Sequence, residues 1–124
     1  MTQHENARNG PTIEVQVVDP QGFTIYLYRH TWERHILRNH PDMVELLDLV
    51  TKTLAEPEVI QQAPQEPTTH YYYRLAGRRL LRRDDLFVAV VVSRDAETRT
   101  GFVKTAHLVN QLRRSEDIVW FKRT

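Results

Sequence analysis

Phe87-Val88-Ala89-Val90-Val91-Val92-Ser93, the turn-like Arg94-Asp95-Ala96-Glu97 and Thr100-Gly101-Phe102-Val103-Lys104-Thr105-Ala106-His107-Leu108-Val109 read as two strands and their connection. The first run is almost continuously apolar and the second alternates, both patterns that suit a pleated, packed surface. Upstream, His70 to Leu75 is aromatic and extended. Three strands in succession with short connections imply an antiparallel meander. Ile118 to Phe121 adds a terminal edge strand or caps the core.

Toward the N-terminus, Ile13 to Val18 and Phe23 to Tyr28 flank Asp19-Pro20-Gln21-Gly22, a hairpin signature with Pro and Gly where a tight turn needs them. Ile13, Val15 and Val17 share one face of their strand, as do Phe23, Ile25 and Leu27 of theirs. Residues 1–11 lack apolar periodicity and read as a mobile tail. Trp32 to Arg38 reads as a short helix, with Thr31 as its cap and Asn39-His40-Pro41 as its stop. A second helix is expected from Pro41 to about Ala55, where Met43, Leu46, Leu47, Val50 and Leu54 form one amphipathic stripe. Glu58 to Gln62 is a short strand, followed by a loop from Ala63 to Thr69. The order of strands, helices and strands predicts an α+β fold. An N-terminal hairpin and two short helices pack on one face of an antiparallel sheet whose other face is partly open.

The chain has 124 residues, 40% hydrophobic and 27% charged, with no cysteine and a formal charge of +1, which describes one ordinary globular domain over residues 12–124. Such a length buries roughly two-thirds of its unfolded surface. The lack of cysteine removes disulfide scaffolds, zinc ribbons and thiol nucleophiles. No apolar run approaches the ~20 residues that span a bilayer, so no membrane association and a cytoplasmic location are expected. Charge is uneven along the chain. Pro41 to Glu66 holds Asp42, Glu45, Asp48, Glu56, Glu58 and Glu66 against Lys52 alone, whereas Arg74, Arg78, Arg79, Arg82 and Arg83 precede Asp84. A nearly neutral protein of this kind can still present a positive cleft to an anion.

Most familiar chemistries fail on spacing. His30, His35 and His40 recur every five residues, whereas two metal ligands on one helix face need three or four, so no metal and no cofactor are expected. The glycines Gly10, Gly22, Gly77 and Gly101 are scattered, which excludes nucleotide-binding loops. Ser93 and Ser115 are the only serines, and neither lies in a nucleophile elbow. Metal-free acid/base chemistry on an anion survives. RNA cleavage needs a base, an acid and charge stabilisation, and the chain has six histidines beside its arginines.

An ordered set of motifs sharpens this. Thr31-Trp32-Glu33-Arg34-His35-Ile36-Leu37-Arg38-Asn39-His40-Pro41, Thr53-Leu54-Ala55-Glu56-Pro57-Glu58-Val59-Ile60, Tyr71-Tyr72-Tyr73-Arg74 and Phe102-Val103-Lys104-Thr105-Ala106-His107 together resemble the phage and mobile-element branch of the barnase, EndoU, colicin and RelE-type (BECR) nuclease superfamily. The resemblance covers about residues 25 to 110. It implies helices before an antiparallel sheet and metal-independent ribonuclease activity, toxin-like in character, on the exposed sheet face. Carried over, the helix histidine matches His35, the basic residue of the middle strand matches Arg74 and the hydroxyl residue of the last strand matches Thr105. Where relatives tend to carry an aromatic residue, this chain has His107, and Lys104 precedes the threonine.

The resulting expectation gives catalysis to His35, Arg74, Thr105 and His107, and substrate binding to Lys104, Arg78, Arg79 and Tyr72. Tyr71, Tyr72 and Tyr73 alternate across their strand and offer rings for stacking single-stranded bases. His35, three positions after Trp32, is read on the same helix face, and His40 as the cap of the second helix. RNA is the expected partner, with a possible inhibitory protein that masks the basic face. The rival reading is a non-catalytic RNA- or protein-binding domain that keeps the nuclease-like fold; a third is an edge-strand dimer.

Overall fold

Asp19 is the residue on which the first hairpin turns. Its Oδ1 accepts the backbone N–H groups of Gln21 and Phe23, both at 2.9 Å, and Gly22 supplies the left-handed conformation (φ 87°) that the turn requires. The strands so joined are β1 (Ile13–Val18) and β2 (Thr24–Tyr28), paired antiparallel with Val17 opposite Ile25. The computed structural model describes residues 11–79, 84–114 and 116–123, without the side chains of Arg78, Arg79 and Asp84. The expected tail up to residue 10, with Arg82, Arg83 and Ser115, lies outside the described residues.

β2 runs directly into a helical segment, α1, over residues 29–39, earlier than the expected start at Trp32, and Thr31 makes no side-chain cap. Its middle, Trp32–Ile36, is wound wider than an α-helix, with the Leu37 amide donating to the Trp32 carbonyl. Trp32 and Ile36 are buried while Glu33, Arg34 and His35 face outward, so His35 does not share the face of Trp32. Pro41 keeps His40 out of helical angles (φ −136°, ψ 71°) and ends the segment. The helix expected from Pro41 to Ala55 is divided. Pro41–Met43 forms one tight turn, Leu46 leaves helical angles, and helix α2 is Leu47–Ala55. The break lets Met43, Val50 and Leu54 all reach full burial.

Four strands then meander antiparallel: β3 (Val59–Ala63), β4 (Glu66–Arg79), β5 (Asp84–Asp95) and β6 (Thr100–Val109). The loop expected from Ala63 to Thr69 is a tight turn, because β4 already begins at Glu66. β7 (Asp117–Phe121) returns to the far edge beside β3. The spatial order is β1-β2-β6-β5-β4-β3-β7. β2 joins β6 in parallel, so the sheet is mixed rather than antiparallel. The meander leaves one edge of β6 free, and a β2 running the same way delivers α1 alongside the second half of that strand.

Ile25, Leu27, Ile60, Tyr72, Val88, Val90, Val92, Val103 and Ala106 on one face form the core with Trp32, Ile36, Met43, Val50 and Leu54 of the helical layer. The opposite face is partly closed by the segment from β6 to β7. Gln61 Nε2 donates to the Arg113 carbonyl at 2.9 Å, and the Arg113 guanidinium lies over the Tyr71 ring at 4.8 Å. Tyr73, Ala89 and Val91 are therefore buried on a face that stays open near Tyr26, Tyr28 and Phe102. Among the described residues, no helix is long and apolar enough to cross a membrane.

Candidate functional site

A bulge in β6 makes the candidate site. Val91 pairs with Thr105 but Val92 pairs with Val103, so Lys104 is the extra residue. In a regular strand Phe102 and Thr105, three positions apart, would face opposite sides of the sheet. With the bulge, Val103 and Ala106 both enter the core, while Phe102, Thr105 and His107 stand on the opposite face. Lys104 is exposed there, and its Nζ donates to the Thr69 hydroxyl at 3.2 Å.

His40 completes the lower end. The angles that Pro41 imposes on it end α1, and its ring stacks on that of His107, with centroids 5.2 Å apart and planes inclined by 29°. It makes no side-chain cap, so the capping role expected of it belongs to its backbone alone. Burial, and then the charges of His40 and Arg113, push the His107 imidazole below the ordinary histidine value, against a weaker opposing pull from Asp42. His107 is therefore neutral near pH 7, the state a general base requires. Thr105 Oγ1 and His107 Nδ1 are buried and hydrogen-bond to nothing among the described residues. Such atoms cost about 1–3 kcal/mol each when left unpaired.

The upper end is walled by α1. A cavity of about 690 Å³ is lined by Tyr28, His30, Arg34, His35, Phe102 and Lys104, together with Pro11, Thr31 and Val103. The structure thus brings His35 and Lys104 to one hollow, and Thr105 and His107 follow along the same strand. The Asn39 side-chain amide lies 3.4 Å from His35 Nδ1. When it donates there, the His35 proton is left on Nε2, the nitrogen free to act as a donor.

Other expected residues lie elsewhere. Arg74 is on the helix-covered face, because strand alternation places it with Tyr72, and its Nη1 donates to the Glu56 carbonyl at 2.5 Å just beyond α2. It clasps a helix end rather than joining His35 and Thr105. Tyr72 is fully buried, and its hydroxyl donates to Asp19 Oδ2, so it offers no ring to a substrate. Arg94 Nη1 closes that network, 3.3 Å from the Tyr72 oxygen and 3.6 Å from Asp19 Oδ2. Arg78 and Arg79 end β4, and their side chains lie outside the described residues.

The sequence reading missed His40, Arg34, Tyr26, Tyr28 and Phe102. A signal existed for the tyrosines: with Phe23, Ile25 and Leu27 facing inward, Tyr26 and Tyr28 face the other way. Among the described residues, no group of three or more His, Asp or Glu is placed to hold a metal ion. Compared with protein-family models, curated proteins and solved structures, the chain matches none.

Proposed function

We propose that this chain is a metal-independent endoribonuclease of the barnase, EndoU, colicin and RelE type, acting on the open part of the sheet face. The observation that carries the reading is the half-buried His107, stacked on His40 and adjoining the Thr105 hydroxyl, unpartnered among the described residues, on the strand whose Lys104 shares a cavity with His35. Neutral His107 takes the proton of an RNA 2′-hydroxyl as that oxygen bonds to the adjacent phosphorus. Lys104 and the Thr105 hydroxyl offset the charge that gathers on the phosphorane. His35, entering as the imidazolium on the α1 side of Lys104, gives its Nε2 proton to the 5′-oxygen as its bond to phosphorus breaks and is left as the neutral imidazole. His40 is a positioning residue that disfavours the protonated form of His107. Arg74 has no part in the reaction.

Incubation of the protein in chelator with single-stranded RNA and DNA tests this. RNA alone is cut, and H107A and H35A each lower the rate by about 10²-fold or more, as expected for loss of a positioned acid or base, with melting transitions retained. RNA left intact by the unsubstituted protein, or cut equally by both variants, overturns it.

A further inference from the structure

On one face of β2 the rings of Tyr26 and Tyr28 lie parallel, with centroids 6.3 Å apart and planes inclined by 9°. The parallel register puts Phe102 of β6 directly beside Tyr26, and Phe102 is 47% exposed. These rings do not belong to the core, which lies on the other face. Tyr28 and Phe102 line the 690 Å³ cavity that holds His30, Arg34, His35 and Lys104, and no carboxylate lines it. Together with Tyr26 they also line the neighbouring hollow of about 500 Å³, where Thr68, Ser93 and Thr100 add hydroxyl groups and Arg94 and Asp95 one charge of each sign. A row of flat rings therefore leads away from Lys104, with basic side chains along its α1 side and hydrogen-bonding groups at its far end.

We infer that Tyr26, Tyr28 and Phe102 form a base-stacking subsite for single-stranded nucleic acid flanking the phosphate held at Lys104, a reading that rests on the ribonuclease proposal. Ring faces accept any base without reading its edge, and a backbone passing the ring row meets Arg34 and Lys104 as counter-charges. A duplex keeps its bases stacked on each other and has none to offer, so the subsite selects unpaired strands. The apolar rings, and the carboxylate-free wall of the cavity at Lys104, suit a polyanion with flat, apolar faces better than an acidic peptide, which lacks those faces.

The test is fluorescence anisotropy of a short labelled single-stranded RNA and a matched duplex, in chelator, with the H107A protein so that binding is read without cleavage. Adding F102L or Y26A weakens single-strand binding about tenfold, the size of one lost base stack, and F102W restores it. The control is F121A, an exposed aromatic on β7 four strand spacings, about 19 Å, from β6, which leaves affinity unchanged. Unchanged affinity in both F102L and Y26A, an equal loss in F121A, or no single-strand binding at all overturns the subsite. Ring-dependent binding by a protein that cuts no RNA upholds the subsite and removes the ribonuclease reading alone. Cleavage of single strands with no dependence on the rings does the reverse.

Discussion

His107 carries a charge balance set by its neighbours rather than by its own chemistry. Burial disfavours its imidazolium, and the His40 ring and Arg113 guanidinium add positive charge nearby. Its ring signals, followed by NMR, should titrate with a midpoint below the ordinary histidine value of 6.5, and H40A should move that midpoint up. The acid limb of the RNA-cleavage profile should shift upward in pH with it, because the base is then protonated at higher pH. A His107 midpoint indifferent to H40A would break the link. His70 is also held below the usual range, mainly by burial. The folded state thus binds fewer protons than the unfolded chain near pH 6 to 7, and these two histidines withdraw stability as pH falls through 6.5. Arg74 makes the contrasting case. R74A removes one hydrogen bond to a helix-end carbonyl, so it should cost about 0.5–1.5 kcal/mol in denaturant unfolding and leave cleavage within about twofold.

At the level of elements, the joint between β2 and β6 holds the site together, since α1 and the Tyr26–Tyr28 pair both hang from it. Gly101 sits at this joint opposite Ile25 and Arg94. A Cβ there would lie 2.9 Å from the Ser93 carbonyl, 3.0 Å from Ile25 Cδ1 and 3.1 Å from Val92 Cγ1, backbone and core atoms with little room to yield. G101A should therefore cost about 1–3 kcal/mol of stability, measured by urea unfolding. It should also weaken cleavage, because it loosens β2 against the strand that carries Lys104 and His107. A variant as stable and active as the parent would show that the joint adapts. Gly22 is constrained differently, by its positive φ and by Arg99 Nη2 at 2.7 Å from an added Cβ, a flexible neighbour that can move.

Across the whole molecule, a formal charge of +1 leaves affinity for nucleic acid to local clusters. Binding of single-stranded RNA should weaken with salt. K104A should reduce the magnitude of the slope of log affinity against log salt by about 0.7, the value for one phosphate contact on a single strand. An unchanged slope would mean that Lys104 touches no phosphate. The Asp19, Tyr72 and Arg94 network sits on the helix-covered face and ties the first hairpin to β4 and β5. Y72F should lower stability by about 1–3 kcal/mol in urea unfolding, since it takes a donor from a buried carboxylate.

Periodicity and turn chemistry made much of this fold legible in the residues themselves. Asp19-Pro20-Gln21-Gly22 marks its turn, the Met43 to Leu54 stripe marks the side that must be covered, and the alternation from Thr100 marks β6, because each signal is local and each residue carries its own preference. Pairing direction is not local. Whether β2 runs parallel or antiparallel to β6 depends on which sheet edge is free when the chain returns. The bulge at Lys104 likewise depends on the partner strand. Without it, alternation in β6 sets Phe102 and Thr105 on opposite faces, and with it Phe102, Lys104, Thr105 and His107 gather on one. The same alternation, uninterrupted in β4 from Thr69 to Leu75, sent Tyr72 and Arg74 to the helix side, away from the site expected for them. Residue types and their spacing determined that a histidine- and arginine-bearing α+β domain would form. Tertiary pairing decided which histidines meet, since a one-residue change of register reverses a strand's faces while leaving every local preference as it was.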